Sequence, residues 1–74
     1  MFKKDIKAIE EVIIMEKECG HIFCDFDDRQ HDLSEIADVI GIEMIKDEDD
    51  EWVFKNAKDK QRTEECLEYY YDLH

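Results

Sequence analysis

Two sets of residues in this 74-residue chain have types and spacings that could do chemistry. The first is a crowd of carboxylates. Asp25, Asp27, Asp28, Asp32, Glu35, Asp38, Glu43, Asp47, Glu48, Asp49, Asp50 and Glu51 stand in the middle of the chain against only Arg29 and Lys46. The chain has 22 Asp and Glu against 10 Lys and Arg, a formal net charge of −12, while residues 1–20 and 52–74 are each nearly balanced. Such concentration costs self-repulsion in a folded state and creates a field that attracts cationic surfaces. It disfavours direct contact with nucleic acid or an anionic membrane. The second set is Cys19, His21, Cys24 and His31, thiols and imidazoles of the kinds that hold a single structural zinc. Against that use, the alternation of Ile22, Cys24 and Phe26 points Cys24 into a core, where a free cysteine serves as a small hydrophobe.

The string Cys19-Gly20-His21-Ile22-Phe23-Cys24 resembles the centre of a RING finger over those six residues. That family needs eight zinc ligands, with CxxC pairs before and after. No cysteine precedes Cys19, and Cys66 alone follows, so the ubiquitin-transfer role does not carry over. Leu33–Ile42 resembles the first helix and turn of a helix-turn-helix domain, which would imply a basic recognition helix next. Glu43-Met44-Ile45-Lys46 and then an acidic run stand there instead. Asp25-Phe26-Asp27-Asp28-Arg29 opens like a calcium loop, but Arg29, Gln30 and Ile36 occupy positions that need an oxygen ligand, a glycine and a bidentate glutamate.

Catalysis has little to stand on. His21, His31 and His74 have no nucleophile at a telling spacing, and no Gly-rich phosphate loop is present. Neither an enzyme nor a cofactor is expected. Three cysteines do not make a disulfide scaffold, and the reading is of an intracellular, cytoplasmic domain with reduced thiols. The longest apolar run, Val12–Met15, is far too short to span a bilayer, and Met1–Asp5 has no apolar stretch behind its lysines to make a secretory signal.

These side chains need elements to position them. Residues 3–19 read as a helix with Ile6, Ile9, Val12, Ile13, Met15 and Cys19 on one face with Phe2 and Ala8, ended by Gly20. A strand through Glu11–Met15 competes, because Val and Ile are β-branched. His21–Phe26 reads as a strand and Asp27–His31 as a polar loop. A second helix is expected from Asp32, with Asp32-Leu33-Ser34-Glu35 as its capping sequence and Leu33, Ile36, Ala37 and Ile40 as its apolar stripe. Ile42–Lys46 and Glu51–Lys55 read as a hairpin joined by a loop around a type I turn. Asn56 is placed to cap a last helix over 57–73, with Cys66, Leu67, Tyr70 and Leu73 inward. The expected fold is one acidic α+β domain over residues 1–74, in the order α-β-α-β-β-α, with a three-stranded, mainly antiparallel sheet packed by helices.

The function expected from this pattern is a small acidic protein-binding module. It would engage the basic nucleic-acid-binding surface of a partner enzyme as a nucleic-acid mimic. Small inhibitors that phages and mobile elements direct against restriction, CRISPR or repair enzymes resemble the chain in size and charge. The contact residues expected are Asp47, Glu48, Asp49, Asp50 and Glu51, with Trp52 as an adjacent aromatic anchor, and Asp25, Asp27 and Asp28 as a second cluster. Two alternatives stand beside it. One is a zinc domain on Cys19, His21, Cys24 and His31. The other is a self-associating subunit that dimerises through Tyr69-Tyr70-Tyr71, of which at least one ring is expected to be exposed.

Overall fold

The computed structural model describes residues 2–20 and 28–73. It contains helix α1 (Lys3–Cys19), helix α2 (Arg29–Val39), strands β1 (Met44–Lys46) and β2 (Trp52–Phe54), and helix α3 (Ala57–Leu73). Among the described residues the order is therefore α-α-β-β-α. The sheet is two-stranded and antiparallel, with Met44 opposite Phe54 and Lys46 opposite Trp52. This corrects the expected three-stranded α+β arrangement, since 69% of the described residues are helical. The expected strand at 21–26 lies outside the described residues. The physical reason is α3. Its inward stripe of Thr63, Cys66, Leu67 and Tyr70 packs against both α1 and α2 and touches β2. One helix thus covers the apolar faces that a sheet was expected to cover.

Among the described residues the core is Ile9 and Ile13 from α1, Leu33, Ile36 and Ala37 from α2, Ile40 and Ile42 just after it, and Cys66, Leu67 and Tyr70 from α3. The β-branched run of α1 stays helical because Ile9, Val12 and Ile13 recur at the helical spacing that meets α3. Gly20 ends the helix at φ +67°, its N–H donating to the Glu16 carbonyl at 2.7 Å. The stripe is narrower than expected, because Met15 and Cys19 are exposed. Asp5 and half-buried Glu16 stand on the inward side in their place.

Those acids are inward because α3 brings them partners. Arg62 grips Asp5 with two hydrogen bonds of 2.7 Å, from Nε to Oδ2 and from Nη2 to Oδ1. Asp5 is only 1% exposed. The same guanidinium reaches the Ile40 carbonyl at 3.4 Å and lies 5.2 Å from the centre of the Phe2 ring. One side chain thus ties α3 to the start of α1 and the end of α2. Further along α3, three consecutive tyrosines each donate to a carboxylate on another helix: Tyr69 to Glu10, Tyr70 to Glu16 and Tyr71 to fully buried Asp32. The expectation of an exposed ring fails here, since Tyr70 is buried and the other two are half-buried.

Helix α2 begins three residues earlier than expected. Asp28 is its cap, with Oδ1 accepting from the His31 N–H at 3.1 Å, so 29–31 form the first turn and not a loop. Asp32 sits inside the helix, where the Tyr71 hydroxyl stabilises its buried carboxylate. Asn56 caps α3 as expected, its Oδ1 accepting from the Asp59 N–H at 2.8 Å.

The guanidinium of Arg62 holds the Asp5 carboxyl below its ordinary value of 3.8, by hydrogen bonding first, against the opposing cost of burial. A carboxyl that titrates lower in the folded state than in the unfolded one stabilises the fold at neutral pH. That contribution is lost as pH falls below the ordinary value and through the depressed one. Asp5→Asn should therefore cost about 3 kcal/mol near pH 7, the scale for breaking a buried pair. Denaturant melts of wild type and variant should converge as the pH drops below 3.8; a gap that persists in acid would contradict the assignment.

Candidate functional site

The two acidic clusters expected from the sequence meet different fates. Asp47, Glu48, Asp49, Asp50 and Glu51 form the hairpin tip, and all are exposed. The tip is ordered by one of its own acids. Asp47 Oδ1 accepts from the N–H groups of Asp49 (2.9 Å) and Glu51 (3.0 Å). The Asp47 carbonyl accepts from the Asp50 N–H at 3.1 Å, and the Asp47 N–H donates to Glu51 at 2.9 Å. Asp50 takes the left-handed conformation, φ +62°, which closes the turn where a glycine is the usual choice. Asp47 is thus a structural residue of the loop. Its neighbours Glu48, Asp49 and Glu51 are in no ion pair among the described residues, while Asp50 pairs with Lys46 at 3.2 Å. Of the second cluster, Asp28 is the α2 cap, and Asp25 and Asp27 lie outside the described residues.

Sequence reasoning missed what joins the clusters. A shallow groove runs between α2 and the hairpin. His31, Ser34, Glu35 and Asp38 form its helical wall, Ile42 and Met44 its apolar floor, and Glu43 and Trp52 its far side. It continues into a depression bordered by Asp28, Asp50 and Glu51, with His31, Ser34 and Trp52 shared. Trp52, 52% exposed, stands where the two meet, so the hairpin tip and the cap of α2 flank one surface. The signal for the wall was in the spacing: 31, 34, 35 and 38 are one stripe of a helix, opposite the apolar stripe of 33, 36, 37 and 40.

The electrostatics of this surface are one-sided. Glu35 has the imidazole of His31 at 3.1 Å, and Glu43 has Lys55 at 3.2 Å. Asp38 is in no ion pair among the described residues. Where Lys46 pairs with Asp50, its ammonium also lies 5.1 Å from the centre of the Trp52 ring. By contrast, the basic residues Arg29 and Arg62 are spent elsewhere, on Glu68 of α3 and on Asp5.

The other candidates fall differently. Among the described residues no group of three or more His, Cys, Asp or Glu side chains converges as a metal site. His21 and Cys24 of the zinc set lie outside those residues. Cys19 is exposed at the end of α1, and His31 faces Glu35. Burial pushes the Cys66 thiol up to about 11, with the Asp5 charge adding to it, so this thiol stays protonated and inert at neutral pH. The tyrosines proposed for self-association bond through their hydroxyls to carboxylates of their own chain. No described helix is long and apolar enough to cross a membrane. No family model, no curated protein and no solved structure is significantly similar to the chain.

The loop geometry separates structural from available acids. Asp47→Ala should lower stability by about 1–2 kcal/mol through two lost hydrogen bonds. Asp47→Asn, which keeps the accepting oxygen, should stay close to wild type. Equal loss in both variants would show that the charge, and not the acceptor, orders the tip.

Proposed function

We propose that this chain is a small, non-enzymatic, acidic binding module of the cytoplasm. In this reading it presents the α2–hairpin surface to the basic nucleic-acid-binding surface of a partner enzyme and inhibits it by competition. The observation that carries the reading is the joint placement of the hairpin tip, the α2 cap and the α2 wall around exposed Trp52. Carboxylates one helical turn apart, or two residues apart on a strand, are separated by about 5–7 Å, comparable with successive phosphates along a strand. A field of one sign speeds encounter with a positive surface and rejects partners of like charge. Trp52 supplies the buried-on-contact area that bare charge lacks, since aromatic side chains are the frequent anchors of protein interfaces. The likeness in size and charge to phage-encoded anti-restriction and anti-CRISPR inhibitors points to the same class of partner.

The test is retention of purified nucleic-acid enzymes (restriction endonucleases, CRISPR effectors, repair enzymes) on the immobilised chain. A true partner should be held at low salt, released by moderate salt, and displaced by duplex nucleic acid. The triple variant Glu48→Lys, Asp49→Lys and Glu51→Lys, which spares Asp47, should keep the fold and lose retention by at least about tenfold. Retention that nucleic acid does not displace, or that the triple variant does not weaken, would overturn the proposal.

A further inference from the structure

We infer that the α2–hairpin groove recognises an extended arginine-bearing segment of a basic partner protein, one cationic head replacing Lys46 between the Trp52 ring and Asp50. This rests on the reading of the chain as an acidic binding module and names what its groove takes.

Lys46 already occupies the cation position. Its ammonium is 3.2 Å from Asp50 Oδ1 and 5.1 Å from the Trp52 ring centre. Lys46 and Trp52 are cross-strand neighbours and share a face of the hairpin with Met44. Met44 and Trp52 line the groove, and Asp50 and Trp52 line its continuation. Lys46, which lines the tip depression with Asp47, Glu48 and Asp49, meets that continuation through Asp50. The chain's own lysine therefore shows which chemistry this position holds: a cation stacked on an aromatic face beside a carboxylate. The occupant is held loosely. Lys46 and Asp50 are both exposed, and such pairs are worth little. A guanidinium suits the position better, because it is planar, stacks on rings and bonds carboxylates with two donors.

The rest of the groove extends the match. Glu35, Asp38 and Glu43 offer carboxylates, and Ile42 and Met44 offer apolar contact for the methylene stems of long cationic side chains. From His31 to Asp38 the helix rises about 10 Å at 1.5 Å per residue. That is the length of about three residues of extended chain, so two cations at alternate positions fit it. A second copy of this chain, at net charge −12, and a nucleic acid are both repelled by the same field.

The probe is a short synthetic peptide of alternating arginine and glycine, titrated into the protein at low salt and followed by amide chemical shifts. A peptide with glutamate in place of arginine is the control. Shifts should centre on His31, Ser34, Asp38, Met44 and Trp52. Affinity should fall about tenfold in Asp38→Lys and about threefold in Trp52→Leu. Lys46→Met, which vacates the position, should tighten binding. Lys58→Met on α3, which removes the same charge beside Phe2 and Glu65, should tighten it less. Were Trp52→Leu to unfold, the two lysine variants would still decide. Equal effects of Lys46→Met and Lys58→Met, or shifts confined to the tip at 47–51, would overturn the inference. Failure of the peptide with enzyme retention intact would leave the module reading standing and remove only the groove. Peptide binding without displaceable enzyme retention would do the reverse.

Discussion

The Arg62–Asp5 pair is the constraint on which the arrangement of helices depends. A chain with 22 acidic residues against 10 Lys and Arg has few cations with which to hold itself together, and the most buried ion pair among the described residues uses one of them to join three elements. A fork of two donors on one carboxylate fixes direction as well as distance, so α3 is set in both register and tilt against α1. The Ile40 carbonyl and the Phe2 ring then place the end of α2 and the start of α1 around the same guanidinium. The tyrosines repeat the principle at the other end of α3 with neutral donors. Three phenols bond three carboxylates, of which Asp32 is buried and Glu16 half-buried, without adding cations. The core formed by the described residues gains specificity from these directional polar contacts.

Fixing α3 also decides where the charge goes. Arg29 and Arg62 are drawn to Glu68 and Asp5. The acids of α2 and the hairpin keep little compensation beyond His31, Lys46 and Lys55. The resulting surface is negative, floored by apolar side chains, and marked by one large exposed aromatic. In the proposed reading, those three properties are what a basic protein surface meets.

Much of this was legible in the sequence, and what was not has local causes. α1, α3, the hairpin and the Asn56 cap follow from helical spacing, alternation and capping chemistry, which act within a few residues. The start of α2 was misplaced because Asp28 and Asp32 are both able to cap. Asp28 caps the helix, while Asp32 lies inside it and accepts from Tyr71, 39 residues away along the chain. The inward placement of Asp5 and Glu16 was equally hidden, since it depends on Arg62 and Tyr70 across the core. The three-stranded sheet is not found among the described residues, where the central helix α3 covers the apolar faces of α1 and α2; the pattern read as a third strand, 21–26, lies outside those residues. At the site, the exposed tip was readable from composition. The groove was not, because it forms only where the polar stripe of α2 meets the hairpin, an arrangement set by tertiary packing and not by local spacing.

The most direct test of the central claim, that negative potential is concentrated on the α2–hairpin face, needs no partner. Paramagnetic relaxation of amide protons by a cationic and an anionic nitroxide of similar structure reports the potential near each residue. The potential obtained from the ratio of the two effects should be most strongly negative from Asp28 through Trp52 and weak along the solvent faces of α1 and α3. Potentials of equal depth over all three helices would contradict the account.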